Sequence, residues 1–248
     1  MAAVLDHDSF PQPDTSICKV WRYLTLPRFA SLVHDKALYF ARADRLGDPF
    51  EGSLPHLNVV QRRQLVESGQ FTEGAVREWE QLTALMPRWS YVSCWHRSEH
   101  ESTAMWELYG GKGPSVALVT RYRDLAAALP GDVMLGEVAY VDYREDAIPN
   151  TNAFYPLMHK RVAYRHEREV RAILFRPPPG EPGDGVDLSK VSTPHGHRVG
   201  TDIRRLLRRV VLCPSASLQD LETVERLLAS VDLSPLLERS ALADEPHF

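Results

Sequence analysis

The residues with the clearest chemical potential lie at 159–175, which read HKRVAYRHEREVRAILF. Glu167, Glu169 and Arg171 occupy alternate positions directly before the apolar residues 173–175. Alternate side chains of a β-strand point to the same face, so a strand would project both carboxylates and the guanidinium together from the mouth of a sheet. Such an arrangement is typical of a catalytic site.

The same residues also fit an amphipathic helix. Glu167 would then stand four residues before Arg171 and form a solvent-exposed ion pair on the polar face. The inward positions of this helix would be Val162, His166, Val170 and Ile173. Both interpretations remain open from the sequence.

A possible metal-binding pattern lies at residues 96–100, which read HRSEH. They match H-x-x-E-H, in which two histidines four residues apart on a helix hold zinc and the glutamate activates water. Here the pattern directly follows a predicted strand and precedes Ser102, which can cap a helix. We therefore place His96, Glu99 and His100 in a loop and predict no metal site, with zinc-dependent hydrolysis kept as an alternative.

The composition indicates an ordinary soluble protein. With 248 residues, of which 44% are hydrophobic and 25% charged, the chain can bury one sizeable core. The formal net charge of -4 does not indicate nucleic-acid binding through bulk electrostatics. Three dispersed cysteines without a C-x-x-C pair indicate neither a disulfide framework nor a cysteine zinc site, and they fit a reducing compartment.

The sequence also argues against membrane association and several enzyme classes. The N-terminus lacks a basic start followed by an apolar run, and no stretch reaches the length that spans a bilayer, so we expect a cytoplasmic protein without a membrane partner. The chain contains no G-x-S-x-G, G-x-x-x-x-G-K or G-x-G-x-x-G motif. Hydrolases with a nucleophile elbow and proteins with these phosphate loops are therefore not indicated.

The order of predicted elements indicates an α+β domain. We expect a loose N-terminal arm at 1–16 and a single domain at 17–248, with a helical insertion at 57–88 and a mobile loop at 176–197. Strands are predicted at 19–25, 38–43, 89–95, 114–120, 133–143 and 210–213. Helices with one apolar face are predicted from Pro27, after Ser102 and at 218–231. The central sheet is expected to be mixed or antiparallel, with helices around it.

Four blocks of residues together resemble a known family. They are GDPFE at 47–51, MWELY at 105–109, the residues Lys160, Tyr164, Glu167, Glu169 and Arg171, and VLCP at 211–214. They are similar to N-D-P-F-E, M-W-x-x-Y, K-x-x-x-Y-E-x-E-x-R and V-I-L-G-P, which are motifs of the bacterial domain of unknown function family 2971. The resemblance covers nearly the whole chain. Gly47, Cys213 and an insertion between Tyr164 and Glu167 depart from the family pattern.

The order of charged and polar residues further resembles ADP-ribosyltransferases. These have an arginine on an early strand, a serine on a middle strand and Glu-x-Glu opening a late strand of a split sandwich. Arg22, Ser93 and the pair Glu167 and Glu169 stand at the corresponding places. The resemblance implies that the site binds NAD as its substrate, or another nucleotide.

Each residue then has an implied role. Cleaving NAD creates an oxocarbenium-like ribose, which Glu169 would stabilise while Ser93 orients Glu169. Arg22 would hold the diphosphate with its planar fork, and Glu167 would steer the acceptor. Three aromatic residues could stack on nicotinamide, and Arg171 is grouped with the residues that bind the cofactor. These aromatic residues are Tyr91, Trp95 and Tyr109.

Two functional hypotheses follow from these residues. The first is an enzyme that uses NAD to ADP-ribosylate an unknown macromolecular acceptor, or that hydrolyses NAD, as a toxin or defence effector. The second is a non-enzymatic interaction domain in which the acidic residues and Arg171 hold the core together. In this second case Asp48 and Glu51 would pair with arginines such as Arg171, and no nucleotide would bind.

Overall fold

A nine-stranded sheet forms the centre of the protein in the computed structural model, which describes residues 2–180, 187, 189–190 and 194–246. A separate two-stranded sheet lies beside it. The strands of both sheets, in chain order, are β1 (Lys19–Thr25), β2 (Ala37–Arg42), β3 (Ser90–Arg97), β4 (Ser115–Arg121), β5 (Val133–Glu137), β6 (Ala139–Val141), β7 (His159–Arg161), β8 (Glu169–Phe175), β9 (Gly196–Gly200), β10 (Arg209–Leu212) and β11 (Leu237–Arg239).

The large sheet is mixed and mostly antiparallel. Its order is β11-β10-β4-β1-β3-β2-β9, with β8 also paired to β3 and β5 paired to β8. Strands β10 and β11 run parallel, as do β6 and β7 of the small sheet, whereas the other pairs are antiparallel. The predicted α+β class with a mixed central sheet is confirmed.

One edge of β3 is shared by two strands. Strand β1 pairs with residues 96–97 near the end of β3, and β2 pairs with residues 91–92 near its start. On the other edge, β8 pairs with β3 from Ser90 to His96. On the shared edge, neither β1 nor β2 pairs with residues 93–95. The two strands therefore separate and leave a gap beside Ser93.

Helices cover the sheet and connect its strands. They are α1 (Leu26–Asp35), α2 (His56–Glu67), α3 (Glu73–Trp89), α4 (Thr103–Met105), α5 (Tyr122–Ala128), α6 (Ile203–Leu206) and α7 (Leu218–Ala229). Helix α1 buries Phe29, Leu32 and Val33, which form the apolar face predicted for the helix that begins near Pro27. Helices α2 and α3 occupy the region of the predicted helical insertion. No helix in the described ranges is both long and apolar enough to cross a membrane.

Helix α4 begins at a capped end and changes its winding. The Ser102 side chain accepts a hydrogen bond from the Met105 amide, as expected for an N-cap. From Trp106 to Gly110 the chain continues as a π-helix. Such wide turns are rare and occur frequently at functional sites.

Apolar side chains pack on both faces of the sheet. On one face Val20 of β1 and Leu118 of β4 are fully buried in the largest core cluster. On the other face Trp21 and Tyr23 pack against Trp106 of the π-helix. Burying one such large side chain contributes about 1.5–3 kcal/mol, so the sheet is held from both sides.

The N-terminal segment is not a loose arm, which corrects the prediction for residues 1–16. Phe10 is only 2% exposed and packs in a core cluster with Ile173 of β8. Val4 forms a parallel bridge with Met134 of β5, and a Cβ at Gly136 would lie 2.8 Å from Phe10. The segment is held in place because the Phe10 side chain is buried in this cluster and the Phe10 backbone approaches β5 at a glycine.

Two further segments differ from their predicted form. The run 133–143 forms two strands, β5 and β6, because the chain leaves β8 after Val138 and the Ala139 amide donates to the Met158 carbonyl, where β6 pairs with β7. Within the loop predicted at 176–197, residues 181–186, 188 and 191–193 lie outside the described residues. Residues 196–197 belong to β9, which pairs with β2.

The chemically richest segment is mainly extended. Residues 159–161 form β7, residues Val162–Glu167 form a 3₁₀-helix, and residues 169–175 form β8. Arg168 adopts a left-handed conformation with φ of 40° and turns the chain between the last two. The helix alternative is therefore wrong for Glu169 and Arg171, which share one face of β8 as the strand interpretation predicts. Glu167 lies before the strand and not on it.

Candidate functional site

A cavity of about 740 Å³ lies where β1 and β2 separate from each other along β3. This volume falls in the range of about 300–1,000 Å³ that is usual for ligand sites. Arginines line one part of the wall, and a lysine with two glutamates lines another. Tyr39, Leu108 and Tyr109 at its lining are exposed to solvent, so its mouth is partly apolar.

Arg22 reaches into the gap between the separating strands. One terminal nitrogen lies 2.5 Å from Ser93 Oγ on β3, and the other donates to the Tyr39 carbonyl of β2 at 2.8 Å. No carboxylate lies within ion-pair distance of Arg22 in the described ranges. Burial lowers the pKa of Arg22 to about 10, which still leaves it cationic at neutral pH. Arg22 is thus a half-buried cation whose hydrogen-bond partners among the described residues are neutral, and it lines the cavity.

The Ser93 side chain is hydrogen bonded to Arg22 and not to Glu169. Its hydroxyl accepts hydrogen bonds from Arg22 and, at 3.1 Å, from the indole nitrogen of Trp95. The expectation that Ser93 orients Glu169 is therefore wrong. Ser93 and Trp95 are two residues apart on β3 and share its face, whereas Cys94 points to the face on which β8 carries Glu169.

Glu169 lines the other part of the cavity and is held by two cations. Its carboxylate accepts from Arg171 at 2.9 and 3.2 Å and from the Lys160 ammonium at 3.3 Å. Burial would raise the pKa of Glu169, but the charges of Arg171 and Lys160 outweigh this and lower it to about 2. Glu169 is therefore a fixed anion and not a proton donor at neutral pH.

Glu167 lies beside Glu169 at the same part of the wall. One oxygen accepts from the Tyr109 hydroxyl at 2.8 Å, and the other lies 2.5 Å from the Lys160 ammonium. Lys160 therefore bridges the two carboxylates. Burial alone would lower the pKa of Lys160, but the two glutamates outweigh it and raise the pKa, which keeps the ammonium charged.

Tyr109 projects from the π-helix to the mouth of the cavity. The residue is 46% exposed, although its hydroxyl is hydrogen bonded to Glu167. Burial of the hydroxyl and the neighbouring Glu167 raise the pKa of Tyr109, so it remains a neutral donor. The exposed ring keeps the predicted ability to stack on a planar ligand.

Arg171 is fully buried behind the cavity and does not line it. Besides Glu169 it pairs with Glu51, whose side chain is 4% exposed. Both terminal nitrogens of Arg171 donate to the Glu51 carboxylate, one of them at 3.1 Å. Arg171 also donates a hydrogen bond to the Leu157 carbonyl. Its predicted place among the cofactor-binding residues is therefore wrong, because its donors are used by the protein. Burial raises the pKa of Glu51, and the positive charge of Arg171 offsets this rise only in part.

Two of the predicted aromatic residues have less access to a ligand. The Tyr91 hydroxyl donates to the Pro194 carbonyl, and its ring packs edge-on against His197, so it is fully buried away from the cavity. Trp95 is 2% exposed and forms part of the cavity wall, with the Arg22 guanidinium 5.7 Å from its ring centre. Tyr91 cannot stack on nicotinamide as predicted.

The acidic loop at 47–51 joins the same region. Asp48 is 6% exposed and pairs with Arg161 of β7 at 2.6 Å, and its carboxylate also accepts a hydrogen bond from the Phe50 amide at 3.0 Å. The Arg161 guanidinium lies 4.2 Å from the Phe50 ring centre. One wall of the cavity is therefore formed by three segments that are distant in sequence: the acidic loop, the π-helix and residues 160–171.

The H-x-x-E-H pattern does not form a helical ligand face. His96 lies on β3, and its ring Nδ1 is 2.6 Å from the Glu167 carbonyl, whereas Glu99 and His100 lie in the following turn. Within the described residues, no group of three or more His, Cys, Asp or Glu side chains could hold a metal ion.

Several residues of the cavity were not identified as site residues from the sequence. Lys160 was part of a motif, and only the structure reveals that its ammonium joins the two glutamates. Arg28 and Tyr39 line the cavity as well. The sequence offers one sign of the role of Tyr39, which is an aromatic residue in the middle of a predicted strand. Arg28 has the features of an ordinary charged residue on the protein surface, so the sequence gives no sign of its position in the cavity.

Comparisons of the chain with protein-family models, with curated proteins and with solved structures found no match. The resemblance to family 2971 and to ADP-ribosyltransferases therefore stays a prediction that depends on the motifs themselves.

Proposed function

We propose that the cavity binds NAD and that the protein cleaves its N-glycosidic bond, passing ADP-ribose to a macromolecular acceptor or to water. The observation that carries this proposal is the presence, in one cavity of about 740 Å³, of an arginine without a carboxylate partner among the described residues and of two adjacent glutamates. Arg22 matches the anionic diphosphate of NAD, and Glu169 and Glu167 match its reacting ribose.

The reaction breaks the bond between ribose C1′ and the nicotinamide nitrogen, and the electron pair leaves with neutral nicotinamide. Positive charge then spreads over C1′ and the ring oxygen of the ribose. Glu169 suits the stabilisation of this charge, because Arg171 and Lys160 keep it ionised and fixed in place. The acceptor or water bonds to C1′ and gives its proton to Glu167.

The remaining contacts support the same roles. A preorganised carboxylate acts most strongly where water is scarce, and Glu169 is only 4% exposed. The Tyr109 ring at the mouth could cover nicotinamide. The separation of β1 and β2 along β3 supports a split, ADP-ribosyltransferase-like sheet, and a reaction of this class would suit a toxin or defence effector in a bacterial cytoplasm.

A second candidate function is a binding domain without turnover. It is favoured by the continuous ion-pair chain from Glu51 through Arg171, Glu169 and Lys160 to Glu167, which joins the acidic loop, β7, β8 and the 3₁₀-helix. Buried charge networks of this kind often hold a fold together. In this case the carboxylates serve the structure only, and no nucleotide binds.

The two candidates differ in the fate of NAD. Purified protein is incubated with NAD labelled in the adenine ring, and nicotinamide, free ADP-ribose and label on protein are measured in parallel, with heat-unfolded protein as the blank. Nicotinamide release above the blank supports the enzyme, and the split of label between protein and solution separates transfer from hydrolysis. Unchanged NAD together with no NAD binding by calorimetry supports the binding domain.

A further inference from the structure

A second arginine that has no carboxylate partner among the described residues lines the cavity together with Arg22. Arg28 belongs to α1, is exposed and lines the same cavity. Within the described residues it has no hydrogen bond or ion pair. Burial is the main cause of the lowered pKa of Arg22, and the positive charge of Arg28 lowers it further, because the two guanidinium groups repel each other. An anion between them would relieve this repulsion.

A third arginine at this mouth is already neutralised. Arg198 of β9 lines the cavity, but its Nε lies 3.2 Å from the Asp35 carboxylate of α1. The net positive charge at this mouth therefore comes from Arg22, deep in the gap, and Arg28 at the surface. Two cations at different depths, neither paired with a carboxylate of the described chain, fit an anion that carries two linked charges.

An aromatic ring lies beside these arginines in a fixed position. Tyr39 is 51% exposed, lines the cavity and pairs with Arg198 across the β2–β9 ladder. A Cβ on Gly196 would overlap the hydroxyl end of Tyr39, so this end of the side chain rests against the glycine. The exposed ring offers a face on which a nucleobase can stack.

We propose that Arg28 and Tyr39 complete, with Arg22, a subsite for a nucleoside diphosphate group, the two arginines holding the two phosphates and Tyr39 holding the base. The inference rests on the proposed function in placing a nucleotide in this cavity, and it adds the residues that recognise its diphosphate end. The deeper phosphate meets Arg22, which Ser93 and the Tyr39 carbonyl hold in place. The outer phosphate meets Arg28, which is exposed at the cavity mouth.

The test compares ligands with one and two phosphates. Binding of ADP, AMP, inorganic pyrophosphate and inorganic phosphate is measured by calorimetry for the wild type, Arg28→Ala and Arg198→Ala. Because a charge-assisted hydrogen bond is worth roughly tenfold or more in affinity, Arg28→Ala should weaken ADP and pyrophosphate about tenfold. AMP and phosphate should change by less than about threefold, and Arg198→Ala should change all four by less than about threefold, since Asp35 already neutralises Arg198.

Tyr39→Ala tests the base half of the subsite. It should weaken ADP by about fivefold or more, because an aromatic face is lost, and leave pyrophosphate unchanged. Circular dichroism of each variant checks that the fold is retained. An equal effect of Tyr39→Ala on ADP and pyrophosphate would overturn the stacking role.

Other outcomes separate this inference from the proposed function. Equal weakening of AMP and ADP by Arg28→Ala, or no effect on ADP, contradicts the diphosphate subsite. So does a wild type that binds neither ADP nor pyrophosphate, even if it consumes NAD. Binding of ADP that depends on Arg28, in a protein that leaves NAD intact, supports the subsite and contradicts the proposed reaction.

Discussion

Arg171 holds Glu169 in a two-bonded ion pair, with Nε 2.9 Å from one carboxylate oxygen and a terminal nitrogen 3.2 Å from the other. The two residues are two positions apart on β8, and Arg171 is fully buried. The same guanidinium also binds Glu51 from the acidic loop. A single cation thus fixes the carboxylate that faces the cavity and ties the loop to the sheet.

Removing the positive charge of Arg171 should lower the free energy of unfolding. Arg171→Met leaves two buried carboxylates with one shared partner fewer, and such a loss costs about 3–5 kcal/mol of the free energy of unfolding. The quantity is measured by urea denaturation at neutral pH. Arg204→Met is the matched control, because Arg204 forms an exposed pair with Asp232 that should contribute less than about 1 kcal/mol. Equal losses in both variants would contradict a structural role for Arg171.

The ion pair also predicts how stability depends on pH. Because the folded-state pKa of Glu169 is about 2, below its ordinary value of 4.5, its contribution is complete above pH 4.5 and is lost as pH falls towards 2. The full contribution is about 3 kcal/mol, and less than half should remain near pH 3. Urea denaturation of the wild type and Glu169→Gln should therefore differ most at neutral pH and converge in acid. If the difference in the free energy of unfolding between the two proteins is the same at every pH, this explanation is contradicted.

Ser93→Ala separates two roles for the serine. It leaves one Arg22 nitrogen and the Trp95 indole without their acceptor, so Arg22 loses its fixed position. We expect KM for NAD to rise about tenfold with kcat changed less than about threefold, since the loss falls on a charge-assisted hydrogen bond. Steady-state kinetics give both values. A fall in kcat at constant KM would instead indicate that Ser93 acts on Glu169.

Much of the fold follows from local patterns. The strand at 19–25, the inward residues of α1 and the cap at Ser102 were all evident, because each depends on neighbours in sequence. The segment at 167–171 was ambiguous, because the same charges satisfy both the two-residue period of a strand and the four-residue spacing of a helix. Pairing with β3, far away in the chain, settles it.

The errors have one physical cause, which is long-range contact. The polar N-terminal segment is ordered by Phe10 packing against β5, and nothing near Phe10 in sequence signals that contact. The partner of Ser93 depends on the separation of β1 and β2, which places Arg22 rather than Glu169 within its reach. The cavity itself arises from that separation and leaves no trace in any single segment.

Lys160 should set the acid limit of activity. Its ammonium lies 2.5 Å from Glu167 and 3.3 Å from Glu169, so Lys160→Met brings two carboxylates together without the charge between them. Like charges retain a proton to higher pH, and the acid limb of the rate profile for nicotinamide release should move up by about one unit or more. Lys112→Met, in the exposed loop before β4, is the control and should leave the profile unchanged. Identical acid limbs would count against the carboxylate pair.

The rate of nicotinamide release by Glu169→Gln tests NAD cleavage most directly, with Glu225→Gln on the exposed side of α7 as the matched control. The glutamine side chain keeps the shape but not the charge, so the rate should fall by about 100-fold or more, as for the loss of one preorganised stabilising group, while both variants stay folded by circular dichroism at the assay temperature. Full nicotinamide release by a folded Glu169→Gln variant, or none by the wild type, would contradict the proposed reaction.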